Sequence, residues 1–153
     1  MKTLITASQV ISLAFSPEEP YSSSLITTSD IIEAESRHLR PIVGDDLYNA
    51  MLHGSYGELV DDYVAPMVAA WTRYIVEPLI PSRTCTIHTT ERITEAMNDY
   101  AERQMRALGD KASTLSRRLS DHLNANRSSY AEYNPNSNPL NRCFIYGNII
   151  QVR

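Results

Sequence analysis

A chain of 153 residues is long enough to bury a core within one domain, and 42% apolar with 21% charged residues excludes a wholly disordered protein. Five glycines and two phenylalanines argue against a β-sandwich or barrel, which needs many tight turns and aromatic strands. The net charge of −4 is unevenly placed: ten acids face three bases from Met1 to Asp62, eight face nine from Tyr63 to Tyr133, and the remainder holds only Arg142 and Arg153. That imbalance suits subunits meeting acidic face to basic face, and it lacks the concentrated basic stripe of a general nucleic-acid binder.

The cysteines, Cys85 and Cys143, read as free thiols in a reducing compartment. The apolar run before Ser16-Pro17-Glu18-Glu19 is too short for a signal peptide, and no stretch approaches the roughly 18 apolar residues of a membrane span. The expectation is a protein made in the cytoplasm, with no membrane partner.

In chain order, Thr6 or Ser8 caps a short helix through Val10, Ile11, Leu13 and Ala14, which Pro17 stops. Residues 16 to 28 read as an extended loop. Thr28-Ser29-Asp30 caps a second helix carrying Ile31, Ile32, Glu35 and Leu39, with a break expected where Pro41 disfavours helical geometry at Arg40. Gly44-Asp45-Asp46 opens another helix, and His53-Gly54-Ser55-Tyr56-Gly57 closes it. From Glu58 towards Leu79 the chain is at its most apolar. Pro66 predicts a kink or fresh start within that run, and Pro78 and Pro81 predict its end.

Residues 84 to 87 pass as a brief extended segment. Thr89-Thr90-Glu91 then opens the longest helix, whose stripe runs Ile93, Met97, Tyr100, Gln104, Leu108, Ala112, Leu115, Leu119, Leu123 and frays around Asn124-Ala125-Asn126. Gly109 interrupts it at about 1 kcal/mol against alanine.

The end of the chain reads differently. Asn134-Pro135-Asn136-Ser137-Asn138-Pro139 is no helix and has nothing to bury. Two β-prone runs follow, Arg142 to Tyr146 and Ile149 to Arg153, around Gly147-Asn148, a hairpin signal. A lone hairpin is marginal in water, so its apolar residues need an outside surface or a strand partner. The expectation is a mainly α fold: a small helical bundle over 1–133 with one long C-terminal helix, then an extended arm or β-hairpin over 134–153 that docks on a partner subunit.

A search for chemistry finds little. His38, His53, His88 and His122 share no spacing, and Cys85-Thr86-Ile87-His88 is half a zinc site with no second pair. An enzyme using Cys85 and His88 is the weakest of the functional alternatives. Glu33/Glu35, Asp45/Asp46 and Asp61/Asp62 are spaced one or two apart, so they do not share a helix face as an acid/base dyad would. No nucleophile elbow or phosphate loop is present. The residues call for no catalysis, cofactor or metal. Trp71 and the tyrosines near it read as core, and Arg117-Arg118 with Arg127 reads as a solvated face or a contact with an acidic neighbour.

The run from Ile31 to Tyr48, with Pro41-Ile42-Val43-Gly44-Asp45-Asp46-Leu47-Tyr48 its most distinctive stretch, resembles small helical head–tail connector (adaptor) proteins of tailed bacteriophages. The order of helices and the C-terminal arm extend the likeness over most of the chain. The resemblance implies a non-enzymatic virion subunit in the phage neck, a ring, commonly twelve-fold, below the portal protein. Such a ring meets other neck or tail proteins and continues the DNA channel without binding DNA specifically. Carried onto this chain, the docking arm would present Leu140, Arg142, Phe144, Ile145, Tyr146, Ile149, Ile150 and Val152. Asp45, Asp46, Asp61, Asp62, Arg117 and Arg118 are the inter-subunit candidates, and the loop from Ser16 to Thr28 is a further contact candidate. The alternative is a cytoplasmic helical binding module or regulator whose arm adds to a partner.

Overall fold

A computed structural model describes residues 2–84, 95–146 and 149–152, with the backbone alone for 95–96 and for the residues from 143 onward. The fold is mainly helical, as the periodicity predicts. The central helix is α6 (Ala65–Val76), on which α1 (Ala7–Ala14), α2 (Thr28–Ala34) and α8 (Glu95–Ala125) all pack. Val10, Ile31, Leu39, Leu47, Val64, Met67, Val68, Leu119 and Leu123 fill the core between them.

Local chemistry explains the helix starts. Thr6 and Gln9 form a reciprocal capping box on α1, and Thr27 does the same with Asp30 on α2, one residue before the cap expected at Thr28. Gly44, at φ +81°, joins α3 (Arg40–Val43) to α4 (Asp45–Leu52), a backbone conformation that suits glycine.

Pro66 stands at the second position of α6, the fresh start expected there, but the break expected at Arg40 does not occur. Instead of stopping at Arg40, the helix widens into a π-turn at Glu35–Leu39 and runs on through Pro41 to Val43. The same device recurs after α5 (Gly57–Leu59): a π-turn at Val60–Val64 precedes Ala65-Pro66 and α6. In both places a five-residue wide turn ends two residues before the proline. Arg40 N–H reaches the Glu35 carbonyl and Ala65 N–H the Val60 carbonyl, i−5 bonds that widen the backbone just ahead of each proline. Pro78 and Pro81 likewise fail to end the run. A 3₁₀ turn at Glu77–Leu79 and α7 (Ile80–Arg83) carry it further, and Arg83 grips Asp30 through two nitrogens at 2.6 and 2.9 Å.

α8 runs antiparallel to the π-turn and α6, as successive contacts show: Gln104 on Glu77, Gly109 against Tyr74, Ser116 on Trp71 and His122 on Tyr63. Gly109 therefore has a packing reason, since an added Cβ would lie 3.3 Å from the Tyr74 ring. The first turns of α8 outrun this support, and every residue from Met97 to Arg103 is exposed.

The largest departure lies after α8. Within residues 134–139 Asn138 is buried, and the flanking Tyr133 and Leu140 are buried and packed against the core respectively. The boundary expected at 134 is therefore misplaced, because the chain stays on the helical body to a 3₁₀ turn at Pro139–Asn141. β1 (Cys143–Tyr146) and β2 (Ile149–Val152) then pair antiparallel, Tyr146 opposite Ile149 and Cys143 opposite Val152. The Gly147-Asn148 turn, the segment expected at 84–87 and the Cys85/His88 pair lie outside the described residues.

Candidate functional site

Three surface features follow from this architecture. The first is the anchor of the C-terminal segment. Asn138 donates from Nδ2 to Ser120 Oγ at 2.8 Å and to the Tyr133 hydroxyl at 2.9 Å, and its Oδ1 caps the next turn at Leu140 N, 2.9 Å away. Asn141 and Asn124 exchange amide hydrogen bonds at 2.7 and 3.0 Å, and Asn141 also donates to the Pro135 carbonyl. Asparagine carries donors and an acceptor on one short side chain, so an asparagine-rich segment can lie on a helix without stranding polar groups.

The second is a groove of about 310 Å³ where the π-turn at Glu35–Leu39, α3, α6, α8 and this anchor meet. Its floor is Trp71, stacked on the His38 ring at 3.6 Å and met edge-on by Tyr74 at 5.5 Å. The indole Nε1 donates to Ser116 Oγ at 2.9 Å. Ile42, Pro139 and Leu140 line the walls, and Arg37 and Arg117 stand at the rim with no carboxylate in the lining. Burial, then the Arg37 charge, holds the His38 imidazole below its ordinary pKa against the pull of Glu33, so His38 enters the stack neutral near pH 7. Arg37 pairs with Glu33 at 3.0 Å on the surface. Arg117 makes no ion pair with the described residues.

The third is an acidic end. Glu58, Asp61 and Asp62 are exposed on α5 and its π-turn and form no ion pair with the described residues, while Glu132 accepts the Tyr56 hydroxyl at 2.6 Å.

The expected site residues are therefore scattered. Asp45 is bound within its own chain to Arg40 at 2.8 Å, and Asp46 is exposed beside it. Arg117 and Arg118, consecutive in sequence, point to different faces: Arg117 rims the groove, whereas Arg118 lies over the Tyr63 ring at 5.0 Å. Leu140 is half-buried: it packs against its own core and also lines the groove. Arg142 is exposed. The side chains of Phe144, Ile145, Tyr146, Ile149, Ile150 and Val152 lie outside the description. The loop from Ser16 to Thr28 is committed internally as well, with Leu25 and Ile26 buried and Glu19 holding Arg73 at 2.7 Å.

Two carboxylates, Glu35 and Asp30, are buried among the described residues, which the sequence reading did not anticipate. Glu35, in the first π-turn, accepts the Tyr48 hydroxyl at 2.6 Å and the Leu4 N–H at 2.8 Å, tying the N-terminal segment to α4. Burial raises its carboxyl above the ordinary value despite those bonds. For Asp30, burial works upward too, but hydrogen bonds from Arg83 and Thr27 outweigh it and the net shift is downward. The helical spacing of Ile31, Glu35 and Leu39 was the available signal, since it puts a carboxylate on an apolar face.

Among the described residues no group of three or more His, Cys, Asp or Glu side chains is arranged to hold a metal, and no helix is long and apolar enough to cross a membrane. No protein-family model, curated protein or solved structure matches the chain.

Proposed function

We propose that the chain is a non-catalytic structural subunit of a tailed-phage neck, in a homo-oligomeric ring below the portal that connects head to tail. The hairpin carries this reading. The asparagine anchor holds the chain to the helical body as far as Asn141, and two four-residue strands then pair chiefly with each other. A two-stranded sheet offers two open edges and too little area to be stable alone, which is what a docking element needs. The resemblance of residues 31–48 to head–tail connectors supports the same role. Glu58, Asp61 and Asp62, exposed and without an ion pair among the described residues, suit a wall along which DNA slides, because each basic contact would add salt-dependent affinity and hold it.

A cytoplasmic binding module or regulator whose hairpin adds to a partner sheet is the second reading, favoured by the same open edges. Removal of residues 143–153 tests both, and this boundary spares the anchor. The shortened protein should keep its circular dichroism and lose co-sedimentation with portal rings and incorporation into particles. Undiminished portal binding would refute the docking role. Full-length protein that ignores the portal while its hairpin is protected by a bacterial protein would favour the second reading.

A further inference from the structure

We propose that the chain associates head to tail with a second copy, the exposed first turns of α8 in one copy seating in the Trp71 groove of the next. This deepens the assembly reading above by naming its two faces, and it rests on that reading for self-association alone.

The knob is the part of α8 that outruns its own body. Met97 and Tyr100 are 59% and 70% exposed, the most exposed of the large hydrophobic residues among those described. They continue the stripe whose later members, Ala112, Leu119 and Leu123, are buried against the core. A helix face that is half core and half solvent is what an unfilled contact leaves. The groove is complementary in chemistry: an indole floor, apolar walls from Ile42 and Leu140, and Arg37 and Arg117 at the rim. Trp, Tyr and Arg are the residues that most often carry the energy of a contact.

Charge agrees. From Glu95 to Gln104 the knob carries Glu95, Asp99 and Glu102 against Arg103 alone, while the groove has arginines and no carboxylate in its lining. Geometry decides between a closed pair and a continuing one. At 3.6 residues per turn, Ser113, Ser116 and Arg117 lie about 100–160° around α8 from Met97 and Tyr100, and roughly 24 Å along it from Tyr100 to Ser116. The two faces cannot meet within one chain. Each copy therefore offers a knob on one side and a groove on the other, a heterologous contact that repeats until rotation closes it.

The test uses the full chain. Sedimentation velocity from micromolar to about one millimolar should show wild-type protein associating, with the double variant Met97→Glu/Tyr100→Glu and the single variant Arg117→Glu each about tenfold or more weaker. All three positions are solvent-exposed, so each variant should keep the wild-type circular dichroism. Mixed together, the two variants retain one competent groove and one competent knob. The mixture should form a dimer and stop there, with a change in the emission of Trp71, the only tryptophan. Association abolished by the knob variant but untouched by Arg117→Glu would mean a knob-to-knob pair and overturn the inference. A wild-type protein monomeric throughout that range would overturn it too. If that monomer still sedimented with the portal, the neck reading would stand without this contact.

Discussion

Asn138→Ala isolates the asparagine anchor, because Asn138 is fully buried and its neighbours Ser120 and Tyr133 are 3% and 5% exposed. The substitution removes two hydrogen bonds donated to buried hydroxyl oxygens, at 2.8 and 2.9 Å, together with the cap on Leu140 N. A buried acceptor that loses its donor costs about 1–3 kcal/mol, and the two hydroxyls retain some freedom to re-pair, so the expected loss is about 2–3 kcal/mol. For a chain of this length that lowers Tm by roughly 5–10 °C. Urea unfolding followed by both far-ultraviolet circular dichroism and Trp71 emission gives the change directly, and the two probes should move together because Leu140 and Trp71 line the same groove. A loss below about 0.5 kcal/mol, the level of an ordinary surface substitution, would show that the segment from Asn134 to Asn141 merely rests on α8, and the arm boundary would return to residue 134.

Glu35→Gln tests the buried carboxylate. Because the folded-state pKa is raised, the folded protein holds this proton more tightly than the unfolded chain does, so the contribution is present below the ordinary glutamate value and is lost as pH rises through the folded pKa. Wild-type unfolding midpoints should therefore fall, relative to those of Glu35→Gln, as pH is raised above about 4.5, and a constant difference across that window would contradict the assignment. Gly44→Ala places a Cβ at φ +81° between α3 and α4, and should cost about 1–2 kcal/mol in the same urea assay; an unchanged midpoint would mean that the junction relaxes freely.

The helical part of the fold was readable because its signals are local. The caps near Thr6 and Thr28, the latter found one residue earlier, the stripe of α8 and its end near Asn126 depend on residues within one or two turns. Pro41 misled for a related reason. It is a helix breaker when only the i−4 ladder is considered, and the wide turn ahead of it eases the conflict. Of the candidate surfaces, Arg117 was visible in the sequence, but its pairing with Arg118 was not real, since neighbours 100° apart on a helix face different surroundings.

By itself the sequence determined that the fold is mainly helical, where α8 stops, that an extended arm or a hairpin follows it, and how charge is divided along the chain. Only the tertiary structure decided that Asn138 is an anchor rather than part of a loose linker, that Trp71 floors a groove, and that Glu35 is buried. Helix periodicity and capping are satisfied by residues a few positions away, so they are written in order along the chain. A buried amide or carboxylate is satisfied by whichever donor or acceptor lies across the core, and Ser120, 18 positions from Asn138, becomes its neighbour only when α8 and the segment after it have folded together.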